Sequence, residues 1–249
     1  MFGKIFGTLF PISLAGFAAF CILGGINNLE IKEANMPQNF SASTVQLGHF
    51  CSGTVIADPN GQNKPTVLTA KHCVVNLATG EVEDKVVPIT LKTYDEKGRT
   101  IAEDAINFTV IRVSDKSDLA LLQSDSSLFN LPVMDIFSGS LRTGDSVFAV
   151  GYPSGSVLTI TGGFVGPIEL VPAFSIVSKD QEFRRSTTMI SPGSSGGSLV
   201  MQTEDGPRLV GVCTGVNLMI PFMTYWTPIE EIREFLKGQS FEEVIEANE

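Results

Sequence analysis

From Val45 to Trp226 short apolar, β-branched segments alternate with turn signals, and this alternation directs the chain to an all-β fold. Segments 50–57, 66–69, 86–93, 106–113 and 119–123 read as strands of a first barrel, punctuated by Asp58-Pro59-Asn60-Gly61 and Asp95-Glu96-Lys97-Gly98. After the turn-rich Phe137-Ser138-Gly139-Ser140 and Thr143-Gly144-Asp145, segments 147–151, 157–161, 173–177, 186–190, 198–201, 209–215 and 223–226 read as a second. A pair of small barrels fits 249 residues. The final signal is helical. Thr227 is placed to cap a helix over 227–238 with Glu230 closing a capping box, Pro228 at the first position and Gly238 at the end. Ile229, Ile232, Phe235 and Leu236 give it one apolar stripe for the second barrel.

The ends differ from this body. Residues 5–26 are almost uncharged and apolar, preceded by Lys4 and followed by the polar Asn27-Asn28-Leu29-Glu30. Such a stretch is an export signal or a membrane anchor. Its length approaches the ~20 residues that cross a bilayer, whereas Gly24-Gly25 offers small residues to a signal peptidase. Phe20 before Cys21 argues against a lipoprotein signal, which needs a small residue there. The expected organisation is a signal or anchor over 1–26, a linker or lead-in over 27–44, a body over 45–237 divided near residue 130, and an acidic tail over 238–249. No peptide-binding module is expected after the body. Either reading of the N-terminus places the body outside the cytoplasm: secreted, periplasmic or held at a membrane through residues 5–26. A net charge of −10 and a pI near 4.7 disfavour nucleic acid and anionic membrane surfaces as partners. Four cysteines are too few for a disulfide-built scaffold.

The chemistry is concentrated in Pro192-Gly193-Ser194-Ser195-Gly196-Gly197-Ser198-Leu199, a glycine-rich turn leading into an apolar strand. A serine hydroxyl becomes a useful nucleophile only with a base beside it and N–H donors aimed at the charge that develops on its target carbonyl. Gly193 is free to turn its N–H, with that of Ser195, toward one point, while Gly196 and Gly197 keep bulk away. The chain has two histidines, so the base is His49 or His72. His72 lies in Thr69-Ala70-Lys71-His72-Cys73 after an apolar run, and Asp118 opens the run Asp118-Leu119-Ala120-Leu121-Leu122. His49 lacks a matching context and reads as structural; Asp115, the rival acid, is not joined to an apolar run.

Thr-Ala-x-His-Cys, Asp-Leu-Ala-Leu-Leu and Gly-x-Ser-Gly-Gly, in that order, resemble the chymotrypsin/trypsin-like serine proteases over roughly residues 40 to 237. The string Ile190-Ser191-Pro192-Gly193-Ser194-Ser195 is most similar to bacterial Deg-type (high-temperature-requirement) proteases. The resemblance implies a double barrel of two six-stranded antiparallel sheets with a closing helix, and a peptide-bond hydrolase acting on protein or peptide substrates. It implies neither a cofactor nor a metal. It makes Ser195 the nucleophile, His72 the base, Asp118 the group that orients it, and the N–H groups of Gly193 and Ser195 the oxyanion hole. By the same matching Met189 lines the floor of the pocket for the side chain preceding the scissile bond, with Thr214, Gly215 and Val216 as its wall. An uncharged pocket favours small or medium apolar residues. Cys51 and Cys73 occupy places that the family often joins, which implies a disulfide, and Cys213 remains a free thiol in a strand. Ser194 stands where zymogen-type relatives hold an aspartate, so activation by a newly cut N-terminus is not expected. The competing reading is an inactive protease-fold binding module presented at a membrane.

Overall fold

The computed structural model describes residues 39–95, 99–125, 131–170, 181–217, 219–220 and 222–237. The signal-or-anchor stretch, most of the lead-in, the expected strand over 173–177 and the tail lie outside these residues. Among the described residues no helix is long and apolar enough to cross a membrane.

The first barrel contains β1 (Thr44–Leu47), β2 (Cys51–Ile56), β3 (Thr66–Thr69), β4 (Val86–Tyr94), β5 (Thr100–Val113) and β6 (Ala120–Gln123). They close antiparallel in the order β1-β2-β3-β6-β5-β4. Val45, Leu47, Val55, Val67, Ile89, Phe108 and Leu122 fill its interior, as inward-facing positions of small barrels do. β5 begins six residues before the expected 106, because Thr100–Ala105 is exposed throughout and pairs with β4 as a ribbon without a core face. With neither face buried, its sequence carries no alternation to read.

The second barrel contains β8 (Ser146–Gly151), β9 (Thr159–Leu170), β10 (Glu182–Ser186), β11 (Ser198–Thr203), β12 (Gly206–Val216) and β13 (Thr224–Pro228). β11-β8-β9-β10-β13-β12 is closed by pairing of β11 with β12, and the short β7 (Asp135–Ile136) flanks β12 in parallel. The fold is thus two six-stranded antiparallel barrels. Helix α2 (Ile229–Lys237) follows and buries Ile229, Ile232 and Phe235 in the same core as Leu199, Val210, Val212 and Trp226.

Local boundaries depart from expectation for identifiable reasons. The strand expected over 186–190 lies at Glu182–Ser186, and the chain leaves the sheet before Met189. β9 runs past the expected 161 through Gly162, Gly163, Gly166 and Pro167; a register shift opposite Arg184 and Ser186 accommodates these strand-breaking residues. Within the lead-in a short helix α1 (Asn39–Ala42) replaces any strand, and its fully buried Phe40 packs 5.4 Å from the Phe148 ring. Thr227 belongs to β13, its Oγ1 lying 3.2 Å from Thr214 Oγ1, so the helix starts at Ile229, two residues later than expected.

Candidate active site

β3 ends at Thr69 and β6 begins at Ala120, and these two residues are register partners. That pairing brings the segment after β3 beside the segment before β6. The first is a 3-10 turn, Lys71–Cys73, carrying His72; the second carries Asp118, two residues before β6. Asp118 is fully buried, and its two carboxylate oxygens have separate tasks. Oδ1 accepts the His72 backbone N–H at 2.9 Å, and Oδ2 lies 2.8 Å from His72 Nδ1. The acid's own loop is fixed by Ser114 N–H to Leu119 C=O at 2.9 Å and by Lys71 Nζ to Ser114 C=O at 2.8 Å. Burial of His72 disfavours its cation, but the charge of Asp118 and its hydrogen bond outweigh that cost and hold the imidazole above its ordinary 6.5. Asp115 is exposed, and His49 sits on the exposed turn between β1 and β2 with its ring 6.3 Å from Phe50.

The glycine-rich string forms the predicted tight turn before β11. Ser194 N–H donates to Ser191 C=O at 2.9 Å, with Pro192 and Gly193 at the two central places. Gly193 has φ +99°, the left-handed region that the third place of a type II turn requires. Gly196, at φ +79°, admits no side chain, since a Cβ would collide with Thr69 Oγ1 and the Ser52 carbonyl. The glycine-rich turn therefore packs directly on the segment leading to His72. Two further bonds set peptide directions. Ser154 N–H donates to Pro192 C=O at 2.6 Å, and Gly197 N–H donates to Ser194 C=O at 2.9 Å. Among the described residues all peptide bonds are trans, so the N–H groups of Gly193 and Ser195 point opposite to these pinned carbonyls.

Cys51 and Cys73 form a disulfide across 22 residues, joining the start of β2 to the turn that carries His72. Cys73 Sγ lies 3.7 Å from Ser195 O, and a ring nitrogen of His72 lies within 4.8 Å of both sulfurs. His72, the disulfide and the glycine-rich turn thus converge. Both sulfurs are committed to the bridge and offer no thiolate to a metal. Cys213 is free and buried on β12; burial, then the charge of Asp118, pushes its thiol far above the ordinary value.

A pocket of about 240 Å³ opens beside the glycine-rich turn, lined by Met189, Ile190, Ser191, Ser194, Thr161 and Trp226 among others. Met189 is held there by Thr161 Oγ1, which donates to its carbonyl at 2.7 Å. Thr214, Gly215 and Val216 do not line this pocket; Thr214 is buried, while Gly215 and Val216 pair with Tyr225 and Thr224 across β12 and β13. Ser52, Tyr152 and Ser154 stand in none of the sequence motifs, yet all touch the glycine-rich turn or each other. The one available signal was the adjacency of Ser52 to Cys51.

The trypsin-like peptidase domain pattern matches residues 51–212. A putative protease Do-like 14 of Arabidopsis thaliana is 31% identical over 192 residues, covering 76% of this chain and 39% of that protein. The mitochondrial serine protease HTRA2 of Drosophila willistoni is 29% identical over 213 residues, covering 84% of this chain and 42% of that protein. This chain therefore spans about two fifths of the length of these curated relatives. The solved structure of the HtrA-type protease AlgW with a tripeptide superposes with a TM-score of 0.60 at 21% identity, covering 82% of this chain and 62% of that one, a likeness of fold. The chain belongs to the trypsin-like peptidase family, with HtrA/Deg-type serine proteases among its homologues.

Proposed function

We propose that this protein is a serine endopeptidase that cleaves peptide bonds through an acyl-enzyme formed on Ser195. The observation that carries the proposal is the pair of bonds from one buried carboxylate to His72, at its backbone N–H and at Nδ1. With Nδ1–H held by Asp118, Nε2 is the basic nitrogen. It takes the Ser195 hydroxyl proton as Oγ attacks the substrate carbonyl, and the negative charge moves to the carbonyl oxygen between the N–H groups of Gly193 and Ser195. When the intermediate collapses, the imidazolium gives that proton to the leaving amine. Water then repeats the sequence on the acyl ester and releases the acid. Exposure of an unfolded protein to the wild-type chain and to Ser195→Ala tests the proposal: fragments from the first alone are expected, and equal fragments from both, or from neither, contradict it.

The raised affinity of His72 for its proton has a signed consequence. Only neutral imidazole accepts the serine proton, so kcat/KM falls as pH drops through the His72 pKa. That acid limb is expected above pH 6.5, the ordinary histidine value. A pH profile of kcat/KM with its midpoint below 6.5 contradicts this reading of the Asp118 contact.

The substrate side chain preceding the cut is proposed to be small or medium and apolar: Val, Ala, Leu or Met. The pocket beside the turn, lined by Met189, Thr161, Ile190, Ser194 and Trp226 among others, offers no carboxylate to a buried guanidinium, whose uncompensated desolvation costs several kcal/mol, whereas a thioether adapts to apolar neighbours. Peptide-library profiling is expected to show at least a tenfold preference, about 1.4 kcal/mol, for these residues over Arg and Lys. Dominant cleavage after basic residues overturns it. The body acts outside the cytoplasm in this proposal, delivered or held by residues 5–26.

A further inference from the structure

We infer that Ser52 is a positioning residue of the oxyanion hole, a role that rests on the serine-protease reading above. Ser52 lies on β2 of the first barrel, fully buried, 141 residues from the turn it touches. All its polar groups are engaged at the junction of the two barrels. Its N–H donates to Ser195 C=O at 2.7 Å, and its C=O accepts Thr69 Oγ1–H at 2.7 Å. The hydroxyl has a defined polarity. It accepts the Tyr152 N–H at 2.8 Å, which leaves its proton for Gly193 C=O, also at 2.8 Å.

Gly193 needs that restraint. Lacking a Cβ, it is the residue about which the turn rotates most freely, yet one of the proposed oxyanion donors is its own N–H. Rotation of the peptide between Pro192 and Gly193 would turn the N–H away and the Pro192 carbonyl toward the developing charge. Two contacts oppose this. Ser154 N–H holds the Pro192 carbonyl at 2.6 Å, and the Ser52 hydroxyl holds the carbonyl on the other side of the Gly193 α-carbon. Ser52 serves both clamps. Through the Tyr152 N–H it also fixes the entry to the 3-10 turn Pro153–Gly155, in which Ser154 adopts φ +54°, an uncommon angle for a non-glycine residue. Loss of this one hydroxyl loosens Gly193 directly and the Ser154 donor indirectly, without touching Ser195, His72 or Asp118.

The test uses the full chain and a fluorophosphonate, whose phosphoryl oxygen takes the place of the oxyanion once Ser195 Oγ is phosphonylated. The maximal labelling rate and the concentration for half-maximal rate are measured separately for wild type and Ser52→Ala, with circular dichroism and thermal melting as controls on folding. The labelling rate is expected to fall about 10- to 100-fold, less than the roughly 100- to 1,000-fold caused by deleting an oxyanion donor outright. The half-maximal concentration stays within about twofold, since positioning acts on the transition state rather than on encounter. Ser52→Gly removes the same hydroxyl and repeats the measurement if Ser52→Ala does not fold. Equal labelling rates in wild type and a folded variant overturn the role of Ser52 alone. So does a loss confined to the half-maximal concentration or to the melting temperature. A wild type that takes no label overturns the serine-protease reading itself, and the role of Ser52 with it.

Discussion

Ser195→Ala is expected to lower kcat by about a million-fold, and His72→Ala by a comparable factor, while the double variant is scarcely worse than either. The nucleophile without its base keeps a protonated hydroxyl, and the base without its nucleophile has no proton to take. Their losses therefore overlap rather than add. The geometry gives the same expectation a second form. Asp118 bonds both His72 N–H and Nδ1, so Asp118→Asn leaves an amide that presents an N–H₂ toward one of two donors and favours the wrong imidazole tautomer. Its loss should be smaller than that of Ser195→Ala, yet still about 10,000-fold. Steady-state kinetics on one peptide substrate measures all four variants. A His72→Ala enzyme with near-normal kcat would remove His72 from the role of base.

Breaking the Cys51–Cys73 bridge carries the largest expected effect on stability. It closes a loop of 22 residues, which in the chain-entropy model stabilises the fold by about 3 kcal/mol. For a domain of this size that corresponds to a melting temperature lower by about 6–12 °C in Cys51→Ser with Cys73→Ser. The bridge adjoins His72 and anchors the 3-10 turn on which it stands, so activity in the folded double variant should also fall. Differential scanning calorimetry of the oxidised protein and the double variant decides the first point. A shift under about 2 °C, well below the chain-entropy expectation, would show that the turn is held by its hydrogen bonds alone.

How legible the fold was in the sequence depended on whether an element had one buried face. β2, β3, β6 and β11 have interior residues at high density, and their expected positions agree with the structure to within one or two residues at most ends. β9 fully buries only Val165 and Thr100–Ala105 of β5 is exposed throughout, so the period-two signal was missing, and the glycines and proline of β9 read as turns although a bulge absorbs them. Thr227 shows a different limit. Its cap signature was sound locally, but pairing of β13 with β12 used the residue first.

At the site, His72, Asp118 and the disulfide cysteines were legible because each stands in a short motif at a strand end, and the register of β3 with β6 brings the first two together. Ser52 was not. Its partners are 100 and 141 residues away, and its single hydroxyl has no local pattern to announce it. The pocket could be read only in part: Met189 lines it, but β8 and β9 supply much of the remaining wall, and no spacing rule links those strands to Met189.

The central claim is that Ser195 is a nucleophile activated by His72, and covalent capture tests it most directly. Wild-type protein treated with a fluorophosphonate is expected to gain one probe mass per chain, mapped by peptide sequencing to Ser195, with labelling abolished in Ser195→Ala and reduced at least about 1,000-fold in His72→Ala. Label on another serine, or equal labelling of wild type and Ser195→Ala, contradicts it.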